Sequence, residues 1–433
     1  MEESPFMDPQ NLGNDIYELI AELYPICRSI TGNGFRESMR ILQKHIPLGV
    51  SEVASGTQVL DWVVPKEWNI RDAWIKDSKG EKLVDFQKSN LHVLNYSAPV
   101  KQKVKRAELK DHLYSLPEHV DWIPYRTSYY KENWGFCVTQ RQLEGMTEDE
   151  YDVFIDSSLE DGHLTFGEYL IKGDLEDEFL ISCHSCHPSL CNDNLSGMGL
   201  AVHLAKHLSQ RKLRYSYRFL FIPGTIGSIT WLALNKNRAA KIQHGLVVAC
   251  VGDAGNLHYK KSRRGDAVID RAVSHVLSHS KQAYEIIDFF PYGYDERQYC
   301  SPGFDLAVGS LSRTPHGQFP QYHTSADNLE FISPAALGDS FAKYLEVIDV
   351  VEGNRCYSNT NPFGEPQLGK RGLYGAFGGR KDSNIYEMAM LWVLNLSDGK
   401  HSLLDIAEKS GNAFPLIQEA AQTLLEHGLL VQA

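Results

Sequence analysis

Residues 181–197 read ISCHSCHPSLCNDNLSG, and both the fold and the chemistry of this 433-residue chain turn on that stretch. Its first residues complete EFLIS (178–182), an apolar run of strand character. Its last ones open LSGMGLAVHLAKHLSQ (195–210), where apolar residues recur at helical spacing. Two His, three Cys and one Asp therefore crowd into the turn between a strand and a helix. Zinc takes its ligands from His, Cys, Asp and Glu, so this density is a metal signal. Asp193 has a second reading as N-cap of the helix that follows it.

The same alternation of strand, loop and helix continues outward. YRFLFIPG (217–224), GLVVACVG (245–252), YEIIDFF (284–290) and FDLAVGSL (304–311) are strand-like, and GDAVIDRAVSHVLSHS (265–280) is helical. This order predicts an α/β domain with a mixed, mostly parallel sheet and helices on both faces. Ligands of such folds gather at the carboxyl ends of the strands, where His184, His187, Thr225 and Asp253 fall. Upstream, NDIYELIAELYPICRSI (14–30) predicts a helix with a stripe of Ile16, Leu19, Ile20, Leu23 and Ile26, capped by Asn14 or Asp15. Between 59 and 171 short apolar runs broken by Gly, Pro, Asn and Asp predict a small inserted β-rich domain. From 383 three helical stretches and a short apolar end outline a winged helix. The expected division is 1–58 with 172–382, then 59–171, then 383–433.

Composition narrows the partners. The formal net charge is -12, and KQKVKR (101–106) and KKSRR (260–264) are short and isolated. The last helical stretch contains Glu419 and Glu426 without any Lys or Arg, so nucleic acid is not an expected partner. No run approaches the ~20 apolar residues that span a bilayer, and the start, MEESPFMDPQ, is acidic. A cytoplasmic chain with its eight Cys reduced is expected, and self-association stays open.

A second polar segment, YHTSADN (322–328), lies more than a hundred residues beyond the first, after the last core strand. The order of a strand ending in His, then NDN-x-SG, then a late YHT-x-x-D resembles zinc aminopeptidases of the leucyl and bacterial secreted type. Within that group the chain looks closest to a bacterial aminopeptidase-like family with an inserted β domain and a C-terminal winged helix, often found with polysaccharide or secondary-metabolite biosynthesis genes. WIPYRTSYYKENWGFC (122–137), HSCHPSLCNDNLSG (184–197), PGTIGSITWL (223–232), YKKSRRGD (259–266) and YDERQYCSPGF (294–304) carry that likeness over nearly the whole chain.

The resemblance implies one zinc ion held by His184, Asp193 and His323, with His187 as an alternative to His184. It also exposes departures. Active relatives place two Glu where this chain has Thr225 and Ile226, and a zinc-binding Asp where it has Ala249 or Cys250. A mononuclear site with an open position still acidifies water and needs a base. Asp253, Asp295 and Glu296 are the candidates, with Glu296 preferred. Arg126, Tyr129, Tyr130 and Trp134 combine a guanidinium with amphipathic rings, a mix that suits a carboxylate or sugar of a small-molecule or peptide substrate, or else an aromatic-rich domain interface; Arg264 beside Arg263 invites a similar reading. His203 and His207, four residues apart on a helix, are expected to be solvated. The reading is a zinc-dependent hydrolase of an amide or peptide bond in a small substrate. Its alternative is a catalytically silent zinc-binding protein for ligand recognition or assembly.

Overall fold

The computed structural model describes residues 9–373 and 383–433. They divide into two compact units, one of residues up to 265 together with 285–342, the other of 266–284 with 343–433.

The first unit is organised by an eight-stranded sheet. Its strands are β1 (Gly49–Ala54), β2 (His163–Ile171), β3 (Glu178–His184), β4 (Ser216–Ile222), β5 (Ile242–Val248), β6 (Leu257–Lys260), β7 (Tyr284–Ile287) and β8 (Val308–Ser312). Their order is β1-β2-β4-β3-β5-β8-β6-β7. The inner four, β4, β3, β5 and β8, run parallel, while β1, β2 and β6 pair antiparallel with their neighbours. Every residue of β3 and of β4 is buried, which is why both read as continuous apolar runs rather than alternating ones. Glu178 of β3 and Arg218 of β4 neutralise each other, since Arg218 donates to Glu178 from Nε and Nη2, each at 2.6 Å.

A helix, α1 (Pro9–Leu23), buries the expected stripe of Ile16, Leu19, Ile20 and Leu23. It begins at Pro9, before the expected cap, and ends before Pro25, so Ile26 lies outside it. Helix α2 (Ser196–Leu208) packs against α1 through Gly199. A Cβ there would stand 2.9 Å from Ile16 Cγ2 and 3.1 Å from Ile20 Cγ1. His203 belongs to that core, not to solvent: it is 4% exposed and its Nδ1 lies 2.9 Å from the Gly199 carbonyl oxygen. The helical period puts His203 under α1 with Gly199, and His207 is half-buried with its ring 6.0 Å from Phe341.

The inserted domain contains a four-stranded antiparallel sheet, in the order Lys82–Asp85, Glu67–Lys76, Glu150–Glu160, Val100–Lys105. The next strand, β2, pairs with β1 and β4 of the central sheet, so the insertion closes near 160 and not at 171. In the second unit, helices Ser383–Leu396, Leu403–Ser410 and Phe414–Glu426 accompany a three-stranded sheet. Its middle strand, Cys356–Asn359, starts well before 383, and the expected boundary at 382 lies outside the described residues. Among the described residues no helix is long and apolar enough to cross a membrane.

Candidate metal centre

The strand β3 ends in His184, and the chain then turns through His187 and Cys191 before entering α2 at Ser196. Strand end and helix entry are tied by Asn194, whose amide donates to the Val248 carbonyl at 2.9 Å and to the His184 carbonyl at 3.2 Å. Asp193 is left in the crook of this turn, fully buried.

Its carboxylate gathers the imidazoles. His184 Nε2 is 2.8 Å from one oxygen and His323 Nε2 is 3.0 Å from the other. His187 joins the same cluster, with ligand atoms of His184, His187 and Asp193 all within 4.8 Å of one another. Its ring centroid is 5.0 Å from that of His184 and 5.1 Å from that of His323. All four residues expected as ligands are thus brought together, and His187 stands beside His184 instead of replacing it.

Electrostatics prepare the cluster for a cation. Burial alone would raise the Asp193 carboxyl, yet the imidazoles of His187, His184 and His323 outweigh it and hold Asp193 well below the usual range. Burial lowers His187 to about 3, so its ring is neutral near pH 7. Its Nδ1 is buried with no hydrogen-bond partner. An unmatched buried imidazole nitrogen is costly unless something accepts its lone pair or its proton. Imidazoles gathered around a carboxylate are a donor set that suits zinc, and the bare Nδ1 fits such an ion.

The late motif reaches the site through Asp327. Its carboxylate accepts from the Asn192 amide at 2.6 Å and from the Asp193 amide at 2.9 Å. The inserted domain supplies the other brace. Tyr125 donates its amide to the His323 carbonyl at 2.7 Å, and Ser325 donates back to Ile123 at 2.8 Å. These contacts hold His323 in the left-handed region, at φ 55°, which few non-glycine residues adopt. The Tyr125 ring meets His187 and His323 edge-on, with centroids 5.2 and 5.1 Å away. On the far side Arg28, wholly buried, donates from Nε to the His187 carbonyl at 2.8 Å. Sequence reasoning did not single out Tyr125 or Arg28, and it gave Asp327 only as the last residue of YHT-x-x-D, with no role; Tyr125 lies in the quoted WIPYR.

The three base candidates separate by their partners. Asp253 is saturated: Oδ1 accepts from Gly255 N and Thr314 Oγ1, each at 2.6 Å, and Oδ2 from Asn192 Nδ2 at 2.9 Å. Glu296, the preferred one, is held in a buried ion pair: Lys260 Nζ lies 2.9 Å from its Oε1 and both side chains are buried. Its Oε1 is thereby committed to the ammonium. Asp295 differs. Ser228 Oγ donates to its Oδ1 at 2.7 Å, Oδ2 has no partner, and burial raises the group to about 6. It stands on the Cβ side of His184, for a Cβ at Gly224 would lie 2.9 Å from His184 Cβ and 3.4 Å from Asp295 Oδ2.

The expected substrate residues scatter. Tyr129 stands behind Tyr125, its hydroxyl 3.0 Å away. Arg126 and Tyr130 are exposed; Tyr130 packs on Trp62 with centroids 5.4 Å apart, and Trp134 stacks on His112 at 3.6 Å. Arg263 and Arg264 pair with Asp305 at 2.8 and 3.6 Å. Arg126 and Tyr130 thus lie exposed, and Arg264 is paired with Asp305. Thr225 and Ile226 begin a helix (Ile226–Leu234), with Ile226 4% exposed, so no carboxylate enters from that strand end.

Known proteins fit this picture. Residues 17–354 match the family described as a domain of unknown function, DUF4910, and residues 355–432 match a winged helix-turn-helix. A Clostridium acetobutylicum protein, described as a candidate polysaccharide biosynthesis protein with an aminopeptidase-like domain, is 57% identical over 418 residues, 96% of each chain. A crystal structure of a candidate peptidase from Clostridium acetobutylicum superimposes with a TM-score of 0.94 at 55% identity, covering 98% of this chain and 97% of that one. A zinc aminopeptidase from Bacillus subtilis gives a TM-score of 0.57 at 12% identity, covering 78% of this chain and 94% of the other, a likeness of fold. The chain belongs to the DUF4910 family, with an aminopeptidase-like α/β domain and a C-terminal winged helix-turn-helix.

Proposed function

We propose that this protein is a mononuclear zinc-dependent hydrolase of an amide or peptide bond in a small substrate. The observation that carries the reading is the buried, unpartnered Nδ1 of His187 beside His184 and Asp193, a nitrogen that the fold leaves without any other use. His184, His187 and Asp193 would hold the ion. His323, its side chain 32% exposed, marks the side from which a substrate enters. Zinc in such a set acts as a Lewis acid on a carbonyl and makes water acidic enough to react near neutrality.

The chain's own residues do the rest. Asp193 anchors two imidazoles and fixes their orientation through the Asp327 brace. Asp295 Oδ2 carries the proton, since a carboxyl held at about 6 exchanges protons readily near pH 7. Tyr125 walls the imidazoles off from water. The relative described as a polysaccharide biosynthesis protein suggests a polysaccharide-building setting for the substrate.

The second reading, a zinc-binding protein without turnover, is favoured by one observation: Thr225 and Ile226 stand where active relatives place carboxylates. A screen of the zinc-loaded chain against aminoacyl and N-acyl amides separates the two. Turnover that falls in Asp295→Asn with zinc retained supports the hydrolase; zinc retained with no turnover on any amide supports the binder.

A further inference from the structure

Behind the ring of Tyr294 lies a cavity of about 230 Å³ that the metal centre does not use. Tyr294 separates the two spaces: its ring stacks on His184 at 4.3 Å on one side and meets His316 at 4.6 Å on the other. The cavity is lined by Lys260, Phe290, Tyr294, Glu296, Ser312 and His316, among others.

Its polar floor is built rather than incidental. Lys260 and Glu296 form an ion pair at 2.9 Å, and Lys260 also donates to the Tyr292 carbonyl at 2.6 Å. Phe290 covers the ammonium, its centroid 3.9 Å from Nζ. Gly293 passes so close that a Cβ there would lie 1.9 Å from Glu296 Oε1 and 2.8 Å from Lys260 Nζ, so any side chain larger than glycine's would displace the pair. Glu296 Oε2 nevertheless has no donor, although the residue is 1% exposed. A buried carboxylate oxygen without a donor is a site prepared for one.

The pairing decides the class of ligand. A cation would meet the Lys260 ammonium and an anion the Glu296 carboxylate, so neither gains a net charge interaction. A neutral hydroxyl can donate to Oε2, and its neighbour can accept from donors on the rim. A pyranose ring also offers an apolar C–H face, which suits the rings of Phe290 and Tyr294. We propose that this cavity is a subsite for a neutral sugar ring, placed one aromatic side chain away from the metal centre. The proposal rests on the hydrolase reading only in taking that ring to be part of the substrate.

The test is saturation-transfer NMR on the full, zinc-loaded chain with two probes, methyl β-glucopyranoside and methyl N-acetyl-β-glucosaminide, and alaninamide as a cationic comparison. Binding of a glycoside is expected to weaken about tenfold or more in Glu296→Gln, which removes a charged acceptor. Ser312→Phe, which fills the cavity and leaves the ion pair intact, should abolish it. His184→Ala should lose zinc yet keep the glycoside, so failure of the metal reading and failure of this one are distinguishable. Absence of glycoside binding to the wild type overturns the proposal. So does glycoside binding indifferent to both cavity variants, or alaninamide bound in the glycoside's place and lost in Ser312→Phe.

Discussion

The Lys260–Glu296 pair gives a sharp test of how the site is wired. The two side chains are 8% and 2% exposed and 2.9 Å apart. At that separation an effective dielectric of ~20 gives about 6 kcal/mol of attraction. Desolvation of two ions offsets several kcal/mol of it, so the pair contributes little net stability. Breaking it is another matter, because either single variant leaves a buried charge alone. Glu296→Leu and Lys260→Met should each cost about 3–5 kcal/mol, and the double variant far less than their sum. Urea unfolding followed by tryptophan fluorescence reads this as midpoints lowered by roughly 1 M or more in the singles and largely restored in the double. Single variants without loss, or losses that simply add, would show that Glu296 is not held by Lys260. The case against Glu296 as the base would then collapse.

Other expectations follow from the bracing of the metal cluster. Asp327→Asn weakens the clasp on the Asn192 and Asp193 amides, so zinc affinity measured by competition with a chromophoric chelator should fall about 10–100-fold while the fold persists. Gly224→Ala pushes a methyl group to 2.9 Å from His184 Cβ, and should cost about 1–3 kcal/mol in thermal unfolding together with zinc affinity. His203 reports pH. Burial lowers it to about 4 from 6.5, so the unfolded chain binds more protons between those values and stability rises with pH across that window. The rise is about 3 kcal/mol, and His203→Leu should flatten the unfolding midpoint against pH by that share.

Much of the fold was legible because β3 and β4 are buried throughout and β5 at all but Gln243, so that they read as largely apolar runs, with the helix entry marked by Asn194 and Ser196. The four metal candidates were legible for a similar reason: three of them crowd one turn, and His323 sits in a polar motif. What the sequence hid was pairing at a distance. Glu296 and Asp295 are adjacent in the chain, yet one meets the Lys260 ammonium and the other the Ser228 hydroxyl, and only the fold decides which is paired with a cation. His203 looked like a surface residue because its spacing to His207 was weighed without knowing that α1 covers Gly199. The aromatic WIPYRTSYY segment reads as a substrate surface, whereas what it brings to the centre is Tyr125, whose amide pairs with His323 and whose ring meets His187 and His323. The insertion's end at 160 was hidden because β2 continues the strand texture of the inserted sheet while pairing with another one.

Metal stoichiometry tests the central claim most directly. The purified full chain, stripped with chelator and titrated with zinc, should bind one ion per chain at neutral pH. That ion should be lost in Asp193→Ala and in His187→Ala, while circular dichroism stays unchanged. Failure to take up zinc, or uptake undisturbed by both substitutions, would contradict the account.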